Sequence, residues 1–149
     1  MLTKKGQYGL KAMVYLANFC PGQTVRVKEI ATAQSIPKKF LDAILGELRN
    51  AGFVNSRMGK GGGYTLARPA TEIVVGHIIR AIDGPLAPLP CASRTQFHPC
   101  DDCDDFEHCA VRLVMLEAQR ALSDVLDNCS LAEMRAIANA ESGHLMYYI

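Results

Sequence analysis

Apolar positions near the start of the chain recur at helical intervals. Tyr8, Ala12, Tyr15, Leu16 and Phe19 predict an amphipathic helix from about Lys4 to Phe19, capped by Thr3. Pro21-Gly22 ends it. Thr24-Val25-Arg26 is short and β-prone, and Val27 to Gln34 predicts a second helix that buries Ile30 and Ala31. Ser35-Ile36-Pro37 interrupts the pattern, and Pro37 suits the first turn of a new helix, where its missing N–H costs nothing. The third helix runs to about Asn50, with Phe40 or Leu41, Ile44, Leu45 and Leu48 on its inner face. Two helices joined by so short a turn form a helix-turn-helix unit.

After Ala51-Gly52 the period changes. Phe53 to Met58 alternates loosely like a strand, Tyr64-Thr65-Leu66 is its return strand, and Gly59-Lys60-Gly61-Gly62-Gly63 is the tip between them. Three helices followed by a basic, glycine-rich hairpin predict a winged helix. The tip lacks the Gly-Lys-Ser/Thr spacing of a phosphate-binding loop, so nucleotide binding is rejected. Val75 to Ile82 predicts a fourth helix. A long helix follows from near Phe106 to Asp127, and Ser130 caps a last one through Leu131, Met134, Ile137 and Ala138. The tail from Glu141 to Ile149 has no clear period.

In the long helix Val111, Val114, Met115, Ala118, Ala121, Leu122 and Val125 form one stripe, while Leu113 and Leu116 project from the other side. A helix apolar on two sides needs cover on both, and so short a chain predicts a second copy of itself. The expected dimer contacts are Leu113, Leu116, Met115 and Leu122. The fold class is mainly α with a small β-hairpin. Residues 1–83 form a winged helix-turn-helix domain with its fourth helix, 84–105 a cysteine-rich loop, and 106–149 the dimerisation and C-terminal helices.

Charge sharpens this picture. The net charge of +1 conceals a basic first part: residues 1–68 hold eleven Lys or Arg against three acids, and residues 69–149 hold five Arg against twelve acids. A basic, winged first part points to double-stranded DNA. Lys38, Lys39 and Asp42 fall at the start and on the outer face of the third helix, where such motifs reach base edges. Arg57 and Lys60 would stand beside a phosphate backbone or a minor groove. The full candidate set is Lys5, Lys28, Lys38, Lys39, Phe40, Asp42, Arg49, Arg57, Lys60 and Gly62. No apolar run approaches the ~18 residues of a membrane span. The expected location is the cytoplasm, with no membrane partner.

Four of the six cysteines, Cys91, Cys100, Cys103 and Cys109, lie between two helical patterns in a loop rich in Pro, Asp and His. In a reducing compartment such clusters favour metal or redox sensing over structural disulfides. Thiolates this close can converge on an iron–sulfur cluster or a tetrahedral zinc. A cluster-free zinc or thiol redox protein, including a thiol oxidoreductase, is the alternative. Against the last, Cys100-Asp-Asp-Cys103 has no βαβ context. The nearby acids Asp101, Asp102, Asp104, Asp105 and Glu107 are expected to raise the thiol pKa values. Cys20 and Cys129 stand alone as packing residues.

Taken together, these segments resemble the Rrf2 family of winged-helix transcription regulators, with its IscR-like and NsrR-like iron–sulfur members, over almost the whole chain. The resemblance rests on Leu2 to Leu10, Val27-Lys28-Glu29-Ile30-Ala31, Ile36 to Leu41, Leu45 to Arg49, Gly52-Phe53-Val54, Gly61-Gly62-Gly63-Tyr64, Val75 to Ile79 and Ser130 to Met134. It implies a regulator, not an enzyme, that acts as a homodimeric repressor on an operator and responds to redox state, nitric oxide or iron. It also implies three cluster ligands at Cys91, Cys103 and Cys109, with [2Fe-2S] favoured over [4Fe-4S]. Cys100 is additional to the family pattern. A His expected three residues after the third cysteine is Arg112 here, and Gln7-Tyr8 offers no carboxylate. The fourth ligand is therefore open among Cys100, His108 and His98. A common wing Arg is Met58 here, flanked by Arg57 and Lys60.

Overall fold

The computed structural model describes the backbone of residues 2–148 and the side chains of residues 2–140. Thr3 opens α1 (Lys4–Leu16) by accepting the Gly6 N–H at 3.1 Å on its hydroxyl. The helix ends three residues before the predicted Phe19. There the Asn18 and Phe19 N–H groups switch to i−3 carbonyls, and Arg135 donates to the Ala17 carbonyl. α2 (Val27–Gln34) matches its predicted span, and Ser35 closes it in the left-handed region at φ 54°. α3 (Lys38–Asn50) begins one residue later than predicted, with Pro37 as its cap.

Leu41, Ile44, Leu45 and Leu48 of α3 are at most 1% exposed and meet Met13 and Ile30 in the core. Burying each such side chain stabilises the fold by roughly 1.5–3 kcal/mol. Phe40, the alternative for the inner face, is 64% exposed, because the helical period can bury only one of the two neighbours. The hairpin pairs β1 (Val54–Arg57) with β2 (Gly63–Leu66) in antiparallel register, Val54 opposite Leu66 and Arg57 opposite Gly63. Val25 adds a third, one-residue rung by exchanging both backbone hydrogen bonds with Tyr64 at 2.8 Å. A Cβ on Gly63 would stand 2.4 Å from the Val25 carbonyl oxygen, and its φ of +146° also excludes ordinary side chains.

α4 (Val75–Asp83) crosses α1 closely, where Gly9 leaves room for Ile82. Asp83 accepts both the backbone N–H and the hydroxyl of Thr3, fastening the two helix ends. A 3₁₀ turn at Pro90–Ala92 carries Cys91 and leads into the cysteine loop. α5 (Ala110–Asp127) starts four residues after the predicted Phe106. Short of that start, Asp105 accepts the His108 N–H at 3.3 Å and holds its ring at 2.8 Å, a local turn that competes with helix. α6 (Leu131–Tyr148) opens on the predicted cap, with Ser130 and Glu133 exchanging hydrogen bonds at 2.7 and 3.1 Å. Leu131 is buried in the same core as Met13 and Ile30, so α6 packs back onto α1. Helix continues across the tail from Glu141, whose side chains lie outside the described residues.

α5 presents its faces differently from the expectation. Gln119 is its buried residue, and Arg112, Leu116, Ser123 and Leu126 share that side. The stripe is the uncovered side: Val111, Val114 and Val125 are 60, 61 and 67% exposed. Of the expected dimer contacts, Leu113 is exposed and Met115, Leu116 and Leu122 are half-buried within one subunit.

Arg80 ties α4 to the end of α5 by a bidentate pair with Asp127 at 2.7 and 2.8 Å. Hydrogen bonding to Arg80 holds the Asp127 carboxyl below its ordinary pKa. A lowered folded-state value contributes stability above the unfolded carboxylate pKa and loses it as pH falls through the folded one. Both side chains are about a third exposed, so solvent screening limits the effect to about 1 kcal/mol. Asp127→Asn should therefore melt lower than wild type near neutral pH. The gap should close below about pH 4, which melting curves across pH will check.

Candidate DNA interface and cysteine loop

Lys38, Lys39 and Phe40 open α3 on its exposed side, in front of the buried Leu41. Lys38 pairs with Asp42 at 3.0 Å, one helical turn on, so Asp42 orients a cation on the same surface. Lys5 is engaged with Glu47 at 2.6 Å, at the far part of α3. Lys28, Arg57 and Lys60 are exposed, and Gly62 is half-buried in the hairpin tip.

A cleft of about 300 Å³ lies between α2, α3 and the hairpin, with Arg26, Arg49, Arg57, Ser56, Gly62 and Tyr64 among its lining. Three guanidinium-bearing residues around one cleft suit a phosphate backbone. Arg26 was absent from the sequence-derived set. The signal was there in the β-prone Thr24-Val25-Arg26, because pairing Val25 with Tyr64 places the next residue against the wing.

The cysteine loop is anchored at both ends. Cys91 is 4% exposed on its turn, and its carbonyl accepts the Arg112 Nε–H at 2.8 Å. The Arg112 guanidinium stands 5.4 Å from the centres of both the Phe97 and Phe106 rings, which are themselves 5.3 Å apart. One α5 side chain thus clamps the start, middle and end of the loop. Two cation–π contacts and a hydrogen bond together stabilise the closed loop by about 2 kcal/mol. Arg112→Ala should accelerate amide exchange across the loop by about 30-fold. Arg112→Lys should recover little, lacking the planar group that stacks. Hydrogen-exchange mass spectrometry reads both.

One pair of sulfurs meets directly: Cys91 and Cys100 lie 3.9 Å apart, while Cys103 is near enough to feel the charges of Cys109 and Cys91. Cys100 titrates above its ordinary range, first through the hydrogen bond and charge of Cys91, then through burial, Cys103 and Asp102. Burial leads the rise at Cys103, and Cys109 and Cys91 add to it. The neighbouring sulfurs therefore outweigh the loop acids, of which only Asp102 contributes upward, to Cys100, and last. Among the described residues, no group of three or more His, Cys, Asp or Glu is set at metal-holding spacing. In donor chemistry the four neighbouring thiols fit a thiolate-bound cluster. His108 is drawn to Asp105 instead, and His98 is exposed.

The Rrf2 family model, described as an iron-dependent transcriptional regulator, matches residues 2–136. The chain belongs to the Rrf2 family. The rrf2-like protein of Rhodobacter capsulatus is 41% identical over 142 residues, covering 93% of this chain and 95% of that one. The structure of CymR, the global cysteine regulator of Bacillus subtilis, superposes with a TM-score of 0.76 at 30% identity, over 92% of this chain and 97% of that one. The structure of T. potens IscR gives 0.73 at 32% identity, over 99% and 96%. The winged-helix architecture is common to these proteins, and this Rrf2 chain is a DNA-binding transcriptional regulator, not an enzyme. No helix among its described residues is long and apolar enough to cross a membrane.

Proposed function

We propose that this Rrf2 regulator binds a pseudo-palindromic operator as a cytoplasmic homodimer, as a repressor whose affinity is set by an iron–sulfur cluster. The observation that carries the reading is the gathering of Cys91, Cys100, Cys103 and Cys109 in one loop clamped to α5. Cys91, Cys103 and Cys109 would hold the cluster, with Cys100 as fourth ligand and [2Fe-2S] as the preferred form. When bound, the cluster supplies a cross-link among thiolates that oxygen, nitric oxide or iron shortage can break. Cys91 sits on the turn packed against α5, and Cys109 caps that helix. Thiols tied together at these two places fix the loop against the helix that carries the uncovered stripe. That stripe would join the two subunits, so the position of α5 sets the separation of the two recognition helices relative to the DNA repeat.

The family's description as iron-dependent supports the metal, and the neighbouring thiols support thiolate ligation. Four thiolates also suit zinc, which would make the loop a structural clip. Anaerobic purification, a visible spectrum, and iron, sulfide and zinc analysis test the reading. Iron with sulfide is expected. Ser replacement of Cys91, Cys103 or Cys109 should each abolish cluster content, and Cys100→Ser should reduce it. Zinc without sulfide, or full cluster content in any of the first three variants, would refute the proposal.

A further inference from the structure

We propose that Cys91 and Cys100 form an oxidisable pair, which peroxide converts into an intramolecular disulfide that blocks the metal site. The consequence for metal rests on the cluster reading above; the thiol chemistry does not. The two sulfurs are 3.9 Å apart although they lie nine positions apart in the sequence. The intervening backbone is already folded for this approach. Pro90 accepts the His98 N–H at 3.2 Å, and the Ser93 hydroxyl accepts the Gln96 N–H at 2.9 Å. Arg112 holds the Cys91 carbonyl from the other side.

Exposure gives the pair its order of reaction. Cys91 is buried and Cys100 exposed, so a solvent-borne oxidant meets Cys100 first. The Cys100 sulfur attacks one peroxide oxygen; the O–O bond breaks, an S–O bond forms, and water leaves. The Cys91 sulfur then attacks the sulfenic sulfur; the S–S bond forms, the S–O bond breaks, and a second water leaves. Two thiols lose two electrons and two protons, and one peroxide accepts them. Sheltered from solvent, Cys91 has the adjacent sulfur as its reaction partner.

The test uses full-length, reduced, metal-free protein, treated with one equivalent of hydrogen peroxide and then alkylated under denaturing conditions. Trypsin cuts after Arg94, separating Cys91 from the other three, and cleavage before Asp101 separates Cys100 from Cys103. Mass spectrometry should find the peptides of Cys91 and Cys100 linked as the main oxidised species. Cys100→Ser should melt like wild type, lose the link and leave Cys91 reduced at the same dose. Linkage of Cys100 to Cys103 or Cys109, a Cys103–Cys109 link forming first, or Cys91 oxidising equally fast in the variant would overturn the proposal. Oxidised metal-free protein should take up iron and sulfide only after a thiol reductant is added; uptake without reductant would refute the blocking role. If purified protein holds no cluster yet the link forms, the cluster reading alone fails. If the cluster is present and the link never forms, this inference alone fails.

Discussion

Operator affinity should fall about 10³–10⁵-fold between 50 and 200 mM salt, the loss expected when roughly six to ten phosphates are neutralised. The exposed cations on one subunit include Lys28, Lys38, Lys39, Arg49, Arg57 and Lys60, together with Arg26 beside the wing. The proposed dimer would double them, so the estimate requires only about half of them to reach phosphate. Binding titrations at four or five salt concentrations give the slope directly. Removing a phosphate contact, for example by Lys60→Ala, should reduce that slope by about two, one for each subunit of the dimer, and leave the melting temperature unchanged, since Lys60 is exposed. Affinity that is flat in salt would mean that this basic surface does not carry the DNA contact.

The second large effect is expected on α5. Val114 and Val125 are 61 and 67% exposed along the same stripe. Val114→Glu with Val125→Glu adds two charges to a surface that has no apolar cover within its own subunit. A chain that dimerises through this stripe should become monomeric, since burying unpaired carboxylates is strongly unfavourable. The linked second half-site is then lost, and operator affinity should drop by about 10²–10⁴-fold. The fold of each subunit should survive, because neither valine belongs to its core. Sedimentation, followed by operator titration, reads both. A dimer of wild-type affinity carrying both glutamates would remove the stripe from the interface and return attention to Leu113.

Local signals carried most of the architecture. The α2 span, the caps at Thr3 and Ser130, and the glycine-rich wing all follow from interactions within a few residues, which a linear pattern displays. The same holds for the buried Ile44, Leu45 and Leu48, whereas the choice of Leu41 over Phe40 was made by the packing. The candidacy of the four loop cysteines also came from residue type and separation alone.

Three things were settled only when distant segments met. Apolar residues lie on more than one side of α5, so periodicity could not say which side the subunit keeps. Packing against α4 and the Cys91 turn chose the side of Gln119, Leu116 and Leu126, leaving the valine stripe outside. The late start of α5 goes with Phe106 joining Phe97 around Arg112, beside the local turn in which Asp105 grips His108. Cys91 and Cys100 became neighbours through backbone hydrogen bonds that close the loop between them, including the Pro90 carbonyl with the His98 N–H. Sequence spacing determined that four thiols were available on one loop; the folded chain decided which of them touch, because contact depends on the path of the backbone between them.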